Sequence, residues 1–107
     1  MPALQNLFSL GPGEPGSEHF LTLFESSGVK IERIVSHSAA SPAGFWYDQE
    51  NDEWVIVLKG VAELRFIDGR RILMCEGDYL LIPKHEKHRV ESTVEKTIWL
   101  AVYLKGT

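Results

Sequence analysis

The chain has 107 residues, of which 44% are apolar and 24% charged, with a formal net charge of −4 and one cysteine. This length predicts one domain, residues 1–107, that is large enough to bury a single core. The acidic balance and scattered basic residues argue against binding to nucleic acid or to a membrane, because phosphate recognition needs clustered Lys and Arg. A single cysteine excludes an internal disulfide and a cysteine-based zinc motif.

Cys75 and the N-terminal residues also bear on the cellular compartment of the protein. Cys75 ends the apolar run ILMC, which predicts a buried structural thiol. No stretch reaches the length of a transmembrane helix, and the N-terminal residues lack the basic start and long apolar core of a signal peptide. We therefore expect a cytoplasmic protein.

The first part of the chain, residues 1–36, is predicted to form short strands. The run NLFSL at 6–10 is compatible with an edge strand, and GPGEPGS at 11–17 indicates a loop. The run EHFLTLFES at 18–26 fits a short helical face or a strand. The turn signal SSG at 26–28 and the alternation in VKIERIVSHS favour a β-hairpin.

From residue 53 onward the strand pattern is stronger. Short runs rich in β-branched and aromatic residues are separated by Gly, Asp and Pro: EWVIVLKG, VAELRFIDG, RRILMCEGD, YLLIPKH, HRVEST and TIWLAVYLK. The Asp-Gly pair in IDGRR at 67–71 is a strong hairpin signal. Many strands at this spacing, without a convincing long helix, predict an all-β sandwich or barrel.

Two segments carry a more specific pattern. In EWVIVLKG, six residues separate Glu53 from Gly60; in GDYLLIPKHEKH, five residues separate Gly77 from Pro83 and four separate Pro83 from His88. These spacings resemble the two conserved motifs of the cupin family. The resemblance covers about residues 44–104, and it implies a jelly-roll β-barrel in which both motifs direct ligands at one interior metal.

The resemblance also implies where the metal ligands lie. The family's His-x-His pair before the Glu falls here on Tyr47 and Gln49 or, at the alternative spacing, on Trp46 and Asp48, and neither choice supplies a histidine. His85 stands at the Gly of the family's Pro-x-Gly. The metal candidates are therefore Glu53, His88, Gln49 and Tyr47, and the residues expected to line a ligand pocket are His85, Trp46 and His37.

The alternation of side chains along a strand fits this placement. Glu53 shares a face with Val55 and Val57, and His88 shares a face with Val90. A carboxylate or imidazole buried beside valines is costly unless it is paired or bound to a metal.

Two functions remain open. The first is a metal-dependent isomerase or oxygenase that acts on a small molecule and holds divalent Fe, Mn, Ni or Zn on Glu53 and His88, as the family resemblance implies. The second is a non-catalytic barrel that binds or senses a small molecule and has a degenerate metal site. The resemblance also implies a homodimer that pairs through sheet edges, and an N-terminal strand that adds to a partner would remove an exposed edge.

Overall fold

The computed structural model of the chain describes residues 2–106. This range contains eight β-strands and no helix, so none of it forms a helix that could cross a membrane. In chain order the strands are β1 (Glu18–Glu25), β2 (Val29–Ser36), β3 (Asp52–Lys59), β4 (Ala62–Phe66), β5 (Arg71–Met74), β6 (Tyr79–Ile82), β7 (His88–Thr93) and β8 (Thr97–Leu104). The predicted hairpin at 18–36 is β1–β2, and the six runs predicted from residue 53 onward correspond to β3–β8.

The strands form two antiparallel sheets that face each other. The larger sheet has the order β1-β2-β8-β3-β6, and the smaller has the order β5-β4-β7. Inward side chains of both sheets make the core, among them Val55, Val57, Leu64 and Val90. The predicted all-β jelly-roll fold is confirmed.

Two glycines occupy turns between consecutive strands. Gly69, in the predicted Asp-Gly turn, has φ +95° and donates to the Phe66 carbonyl at 2.9 Å, which closes the β4–β5 hairpin. Gly60 has φ +92°, and a Cβ there would lie 2.8 Å from the Cα of Thr97. The glycine that ends β3 is therefore required both by its backbone angle and by the close approach of β8.

Two predictions about individual segments are wrong. Cys75 is exposed rather than buried, because β5 ends at Met74, which takes the inward position, and Cys75 lies in the turn where its N–H donates to Asp78. The run at 6–10 is not a strand. Its backbone turns instead, with the N–H of Ser9 donating to the carbonyl of Asn6 at 3.2 Å.

Candidate functional site

Glu53 and His88 meet inside the barrel. Glu53 is the second residue of β3 and is 6% exposed, and its side chain points inward with those of Val55 and Val57. His88 opens β7 in the opposite sheet, is 5% exposed and lies in phase with the buried Val90. Glu53 Oε1 and His88 Nε2 are 3.9 Å apart. The fold thus brings the two motif residues to one point.

The orientation of the His88 ring is set by two neighbours. Nδ1 lies 2.8 Å from the backbone carbonyl of Glu86, and a carbonyl only accepts, so Nδ1 carries the proton. In the neutral ring Nε2, on the Glu53 side, then has a free lone pair. The Tyr47 ring stacks on the imidazole with centroids 5.5 Å apart, and the two backbones exchange hydrogen bonds of 2.7 and 3.1 Å.

Arg89 fixes the loop that carries Tyr47. Its guanidinium donates to the carbonyls of Ser41, Pro42 and Phe45 at 2.9–3.3 Å. Three backbone acceptors on one planar donor group hold residues 41–45 against β7. Tyr47 follows directly, at the position where it pairs with His88.

Tyr47, Gln49, Glu53 and His88 all line one cavity of roughly 50 Å³. One water molecule occupies about 10–15 Å³ of such space, so the cavity has room for about four water-sized groups. Phe20 belongs to the lining although it is 53% exposed, so the cavity reaches the surface on the side of β1. The rest of the lining is Glu18, Ile34, Val55, Leu64, Ile82, Val90 and Trp99.

Burial decides the charge states in this cavity. Burial, with the negative charge of Glu32 as a smaller cause, raises the pKa of Glu53 to about 7. Burial lowers the pKa of His88, against the smaller opposing effect of the Glu86 carbonyl. Both directions favour the neutral forms, so while Glu53 is protonated, as it mostly is below pH 7, the two residues form an acid–imidazole pair rather than a strong ion pair.

A second carboxylate lies behind Glu53. Glu32 on β2 is buried, accepts a hydrogen bond from the Tyr103 hydroxyl at 3.3 Å and lies 3.5 Å from the Lys30 ammonium. Tyr103 is the direct partner of Glu53 in the β3–β8 register, and Lys30 is the partner of Tyr103. Burial, followed by the charges of Glu53 and Glu32, raises the pKa of the Tyr103 phenol.

The three residues predicted to line the pocket lie outside the cavity. Trp46 lies beside Arg89, whose guanidinium carbon is 5.9 Å from the centroid of the Trp46 ring. His85 is exposed, with φ +63°, and its Nδ1 lies 2.8 Å from the Asp48 carboxylate. His37 is buried beneath the N-terminal loop, where its backbone exchanges hydrogen bonds with Gly16 and Ser17.

The sequence did not identify Glu18 and Phe20 as residues of the cavity lining, nor Glu32 and Tyr103 as the hydrogen-bonded pair beside Glu53. The run VKIERIVS alternates two sets that both contain apolar residues, so its inward phase could not be read from the pattern. Glu32 lies in phase with the inward Ile34, and one acidic residue among apolar neighbours was the signal available.

Comparison with known proteins agrees with this geometry. The profile of the cupin domain family matches residues 37–103. The chain belongs to the cupin family. Among solved cupin-like structures, a candidate mannose-6-phosphate isomerase from Ralstonia eutropha JMP134 is 44% identical, with a TM-score of 0.90 over 98% of this chain and 100% of that one.

Two further relatives are more distant. A cupin superfamily protein from Desulfitobacterium hafniense DCB-2 has a TM-score of 0.76 at 20% identity over 91% of this cupin and 85% of that chain. An uncharacterised protein from Aquifex aeolicus (strain VF5) is 37% identical over 57 residues, which are 53% of this cupin. The match spans 46% of the Aquifex protein.

The cavity residues do not fit a tightly held divalent metal. Catalytic metal sites usually provide three strong protein ligands, such as imidazole and carboxylate. Within residues 2–106, no three His, Cys, Asp or Glu side chains form a group that could hold a metal ion. Gln49 offers a neutral oxygen, and burial raises the pKa of the Tyr47 phenol, which opposes the phenolate that a metal would need.

Proposed function

We propose that this cupin binds the α-hydroxycarbonyl end of a small molecule through Glu53 and His88. The observation that carries the proposal is the 3.9 Å separation of Glu53 Oε1 and His88 Nε2, two buried side chains that line one cavity. Two groups at this separation can each form a hydrogen bond of about 2.8 Å with a different oxygen of the ligand, when the two oxygens are on adjacent carbons. The protonated Glu53 donates to the carbonyl oxygen, and Nε2 of His88 accepts from the hydroxyl.

The cavity size limits the part of the ligand that is enclosed. Space for about four water-sized groups accommodates one α-hydroxycarbonyl unit. A whole sugar phosphate is larger, since pockets for such ligands usually exceed about 300 Å³. The rest of a longer ligand would extend past the exposed Phe20 on the β1 side.

A second candidate function is isomerisation by proton transfer between these two residues. His88 Nε2 takes the proton from the carbon that bears the hydroxyl, while Glu53 gives its proton to the carbonyl oxygen, and an enediol results. The His88 imidazolium then gives its proton to the former carbonyl carbon, while the hydroxyl on the other carbon gives its proton to Glu53 and becomes the new carbonyl, so both residues return to their starting states. A pKa of about 7 suits an acid that exchanges protons at neutral pH, and the 44% identical Ralstonia protein is named as a candidate isomerase.

Ligand-observed NMR tests binding directly. Glycolaldehyde is the probe, and ethylene glycol, which lacks the carbonyl, is the matched control. The wild type should bind glycolaldehyde and not ethylene glycol. The control variant Glu76→Gln, changed at an exposed residue between β5 and β6, should behave like the wild type. Glu53→Leu and His88→Phe should not bind glycolaldehyde. Equal binding by wild type and Glu53→Leu would refute the proposal.

The same variants separate binding from catalysis. Glu53→Gln keeps a hydrogen-bond donor but cannot release a proton, so it should bind glycolaldehyde yet fail to exchange the carbon-bound protons of dihydroxyacetone for deuterium in D₂O. The wild type should show this exchange and form glyceraldehyde. Binding without exchange in the wild type would favour the non-catalytic function.

Elemental analysis tests the metal-dependent isomerase or oxygenase predicted from the sequence. Protein purified without a metal-affinity column is dialysed against Fe, Mn, Ni or Zn and then against buffer alone. Because the cavity does not provide three strong metal ligands, we expect much less than one metal per chain. One metal per chain, lost in Glu53→Leu and in His88→Phe, would instead favour the metal-dependent enzyme.

A further inference from the structure

We propose that Glu18 is a specificity-determining residue, whose carboxylate excludes ligands that carry a negative charge beside their α-hydroxycarbonyl end. This inference rests on the proposed function, because it concerns the part of the ligand that extends away from Glu53 and His88. It narrows the ligand class to α-hydroxycarbonyl compounds without a carboxylate or phosphate next to that end.

Glu18 lies where a longer ligand leaves the cavity. It is the first residue of β1, and its side chain lines the cavity together with that of Phe20, which is 53% exposed. The two side chains are in phase on the strand, and their partners on β2 are Ser36 and Ile34. A ligand that extends past Phe20 on this side therefore meets the Glu18 carboxylate.

The Glu18 carboxylate is held by a chain of two hydrogen bonds. The buried Ser36 hydroxyl donates to Glu18 Oε2 at 2.8 Å. Trp99 Nε1 donates to Ser36 Oγ at 3.1 Å, and an indole nitrogen can only donate. The single hydroxyl proton of Ser36 is thereby directed at Glu18. Both donors are neutral, so they fix the position of the carboxylate without cancelling its charge.

No cation in the described part of the chain compensates this charge. Within residues 2–106, Glu18 has no partner of opposite charge. The cavity lining contains the two carboxyl groups of Glu18 and Glu53 and neither Lys nor Arg. Its one imidazole, that of His88, has a pKa lowered by burial, which favours the neutral form. The electrostatic potential in the cavity is therefore negative.

The phenol of Tyr47 shows that this charge acts across the cavity. Burial is the main reason that the pKa of Tyr47 is raised, and the charge of Glu18 comes next, ahead of those of Glu53 and Glu32. The effect opposes an anion at Tyr47, whose ring stacks on His88. A ligand anion in the same space would meet the same repulsion.

The size of the effect follows from Coulomb's law. Two like charges about 8 Å apart, at an effective dielectric constant of about 20, lower an affinity about thirtyfold. Salt at physiological concentration screens part of this repulsion. We therefore expect Glu18 to weaken the binding of an anionic ligand about tenfold relative to a neutral one.

NMR titration with two probes of similar size tests the inference. Dihydroxyacetone and hydroxypyruvate share one hydroxyketone end and differ at the other, where the first carries a neutral hydroxymethyl group and the second a carboxylate. At pH 6 Glu53 is mostly protonated, so its own charge contributes little. The wild type should bind dihydroxyacetone at least about tenfold more tightly than hydroxypyruvate.

The variant Glu18→Gln keeps the shape of the side chain and an oxygen that accepts from Ser36, but it has no charge. It should reduce the preference for dihydroxyacetone about tenfold, mainly by strengthening the binding of hydroxypyruvate. The control Glu76→Gln removes the same charge from an exposed turn residue and should keep the wild-type preference. Circular dichroism spectra show whether each variant retains the fold.

A measurement on the wild type alone gives a second test. Raising NaCl from about 20 to about 300 mM should strengthen the binding of hydroxypyruvate and leave that of dihydroxyacetone within about twofold. Equal affinities of the wild type for both probes, or the wild-type preference in a folded Glu18→Gln, would overturn the role of Glu18 while the proposed function stands. Failure of the wild type to bind glycolaldehyde and dihydroxyacetone would overturn the proposed function, and this inference with it.

Discussion

Replacing Glu53 by Gln should change how the stability of the protein depends on pH. Glu53 has a pKa of about 7 in the folded protein, against 4.5 for an unperturbed Glu, chiefly because it is buried. Each pKa unit corresponds to about 1.4 kcal/mol, so this increase in the pKa of Glu53 changes the free energy of unfolding by about 3 kcal/mol between its protonated and ionised forms. Gln has nearly the same shape as Glu and does not titrate.

The direction follows from where the proton is held. Between pH 4.5 and 7 the folded protein retains the Glu53 proton while the unfolded chain releases it. The free energy of unfolding therefore falls as pH rises through this range and loses nothing more from Glu53 above it. Glu53→Gln should match the wild type within about 1 kcal/mol at pH 4.5 and exceed it by about 3 kcal/mol at pH 8.

Urea denaturation at a fixed protein concentration measures this difference at a series of pH values. The difference between variant and wild type removes the contributions of all other titrating groups, His88 included. The control Glu76→Gln, at an exposed residue of the β5–β6 turn, should give a curve parallel to that of the wild type. A parallel curve for Glu53→Gln would refute the reasoning, and a difference that changes in the opposite direction would indicate a cation bound to an ionised Glu53.

Two further predictions concern packing, and urea denaturation measures both. Gly60→Ala and Gly69→Ala introduce the same backbone strain, but only the Cβ at residue 60 would contact Thr97, so Gly60→Ala should cost about 1–3 kcal/mol more; equal losses would contradict this close approach. Met74→Ala removes a buried side chain and should cost about 3 kcal/mol. Leu73→Ala on the same strand should change stability by less than about 0.5 kcal/mol, and a similar loss for both would contradict the assigned inward phase.

The strands were predictable because period-two alternation and turn residues act locally. The Asp-Gly pair at 68–69 identified its hairpin, and the motif spacings around Glu53 and His88 identified the two residues that the fold brings together. The prediction failed for Cys75 because one residue decides whether a strand continues or turns. The run ILMC contains no signal that β5 ends at Met74.

The rest of the cavity depends on contacts between distant segments. Phe20 lines the cavity because β1 pairs with β2, and Glu32 lies near Glu53 because β2 pairs with β8. His37 lies in a strand-like pattern as well, but its backbone pairs with the N-terminal loop at 16–17 and its side chain does not line the cavity. No local pattern distinguishes these outcomes.

By itself, the sequence determined the β-class of the fold, most of its strands, and the two motif residues that face the core. Hydrophobic alternation and turn chemistry suffice for the class and the strands because both act over a few neighbouring residues, whereas the two motif residues follow from the resemblance of their spacing to the cupin motifs. The tertiary structure alone decided the 3.9 Å approach of Glu53 to His88 and the small volume around them. Each of these depends on which strands become neighbours, and strand order is settled by the packing of the whole barrel.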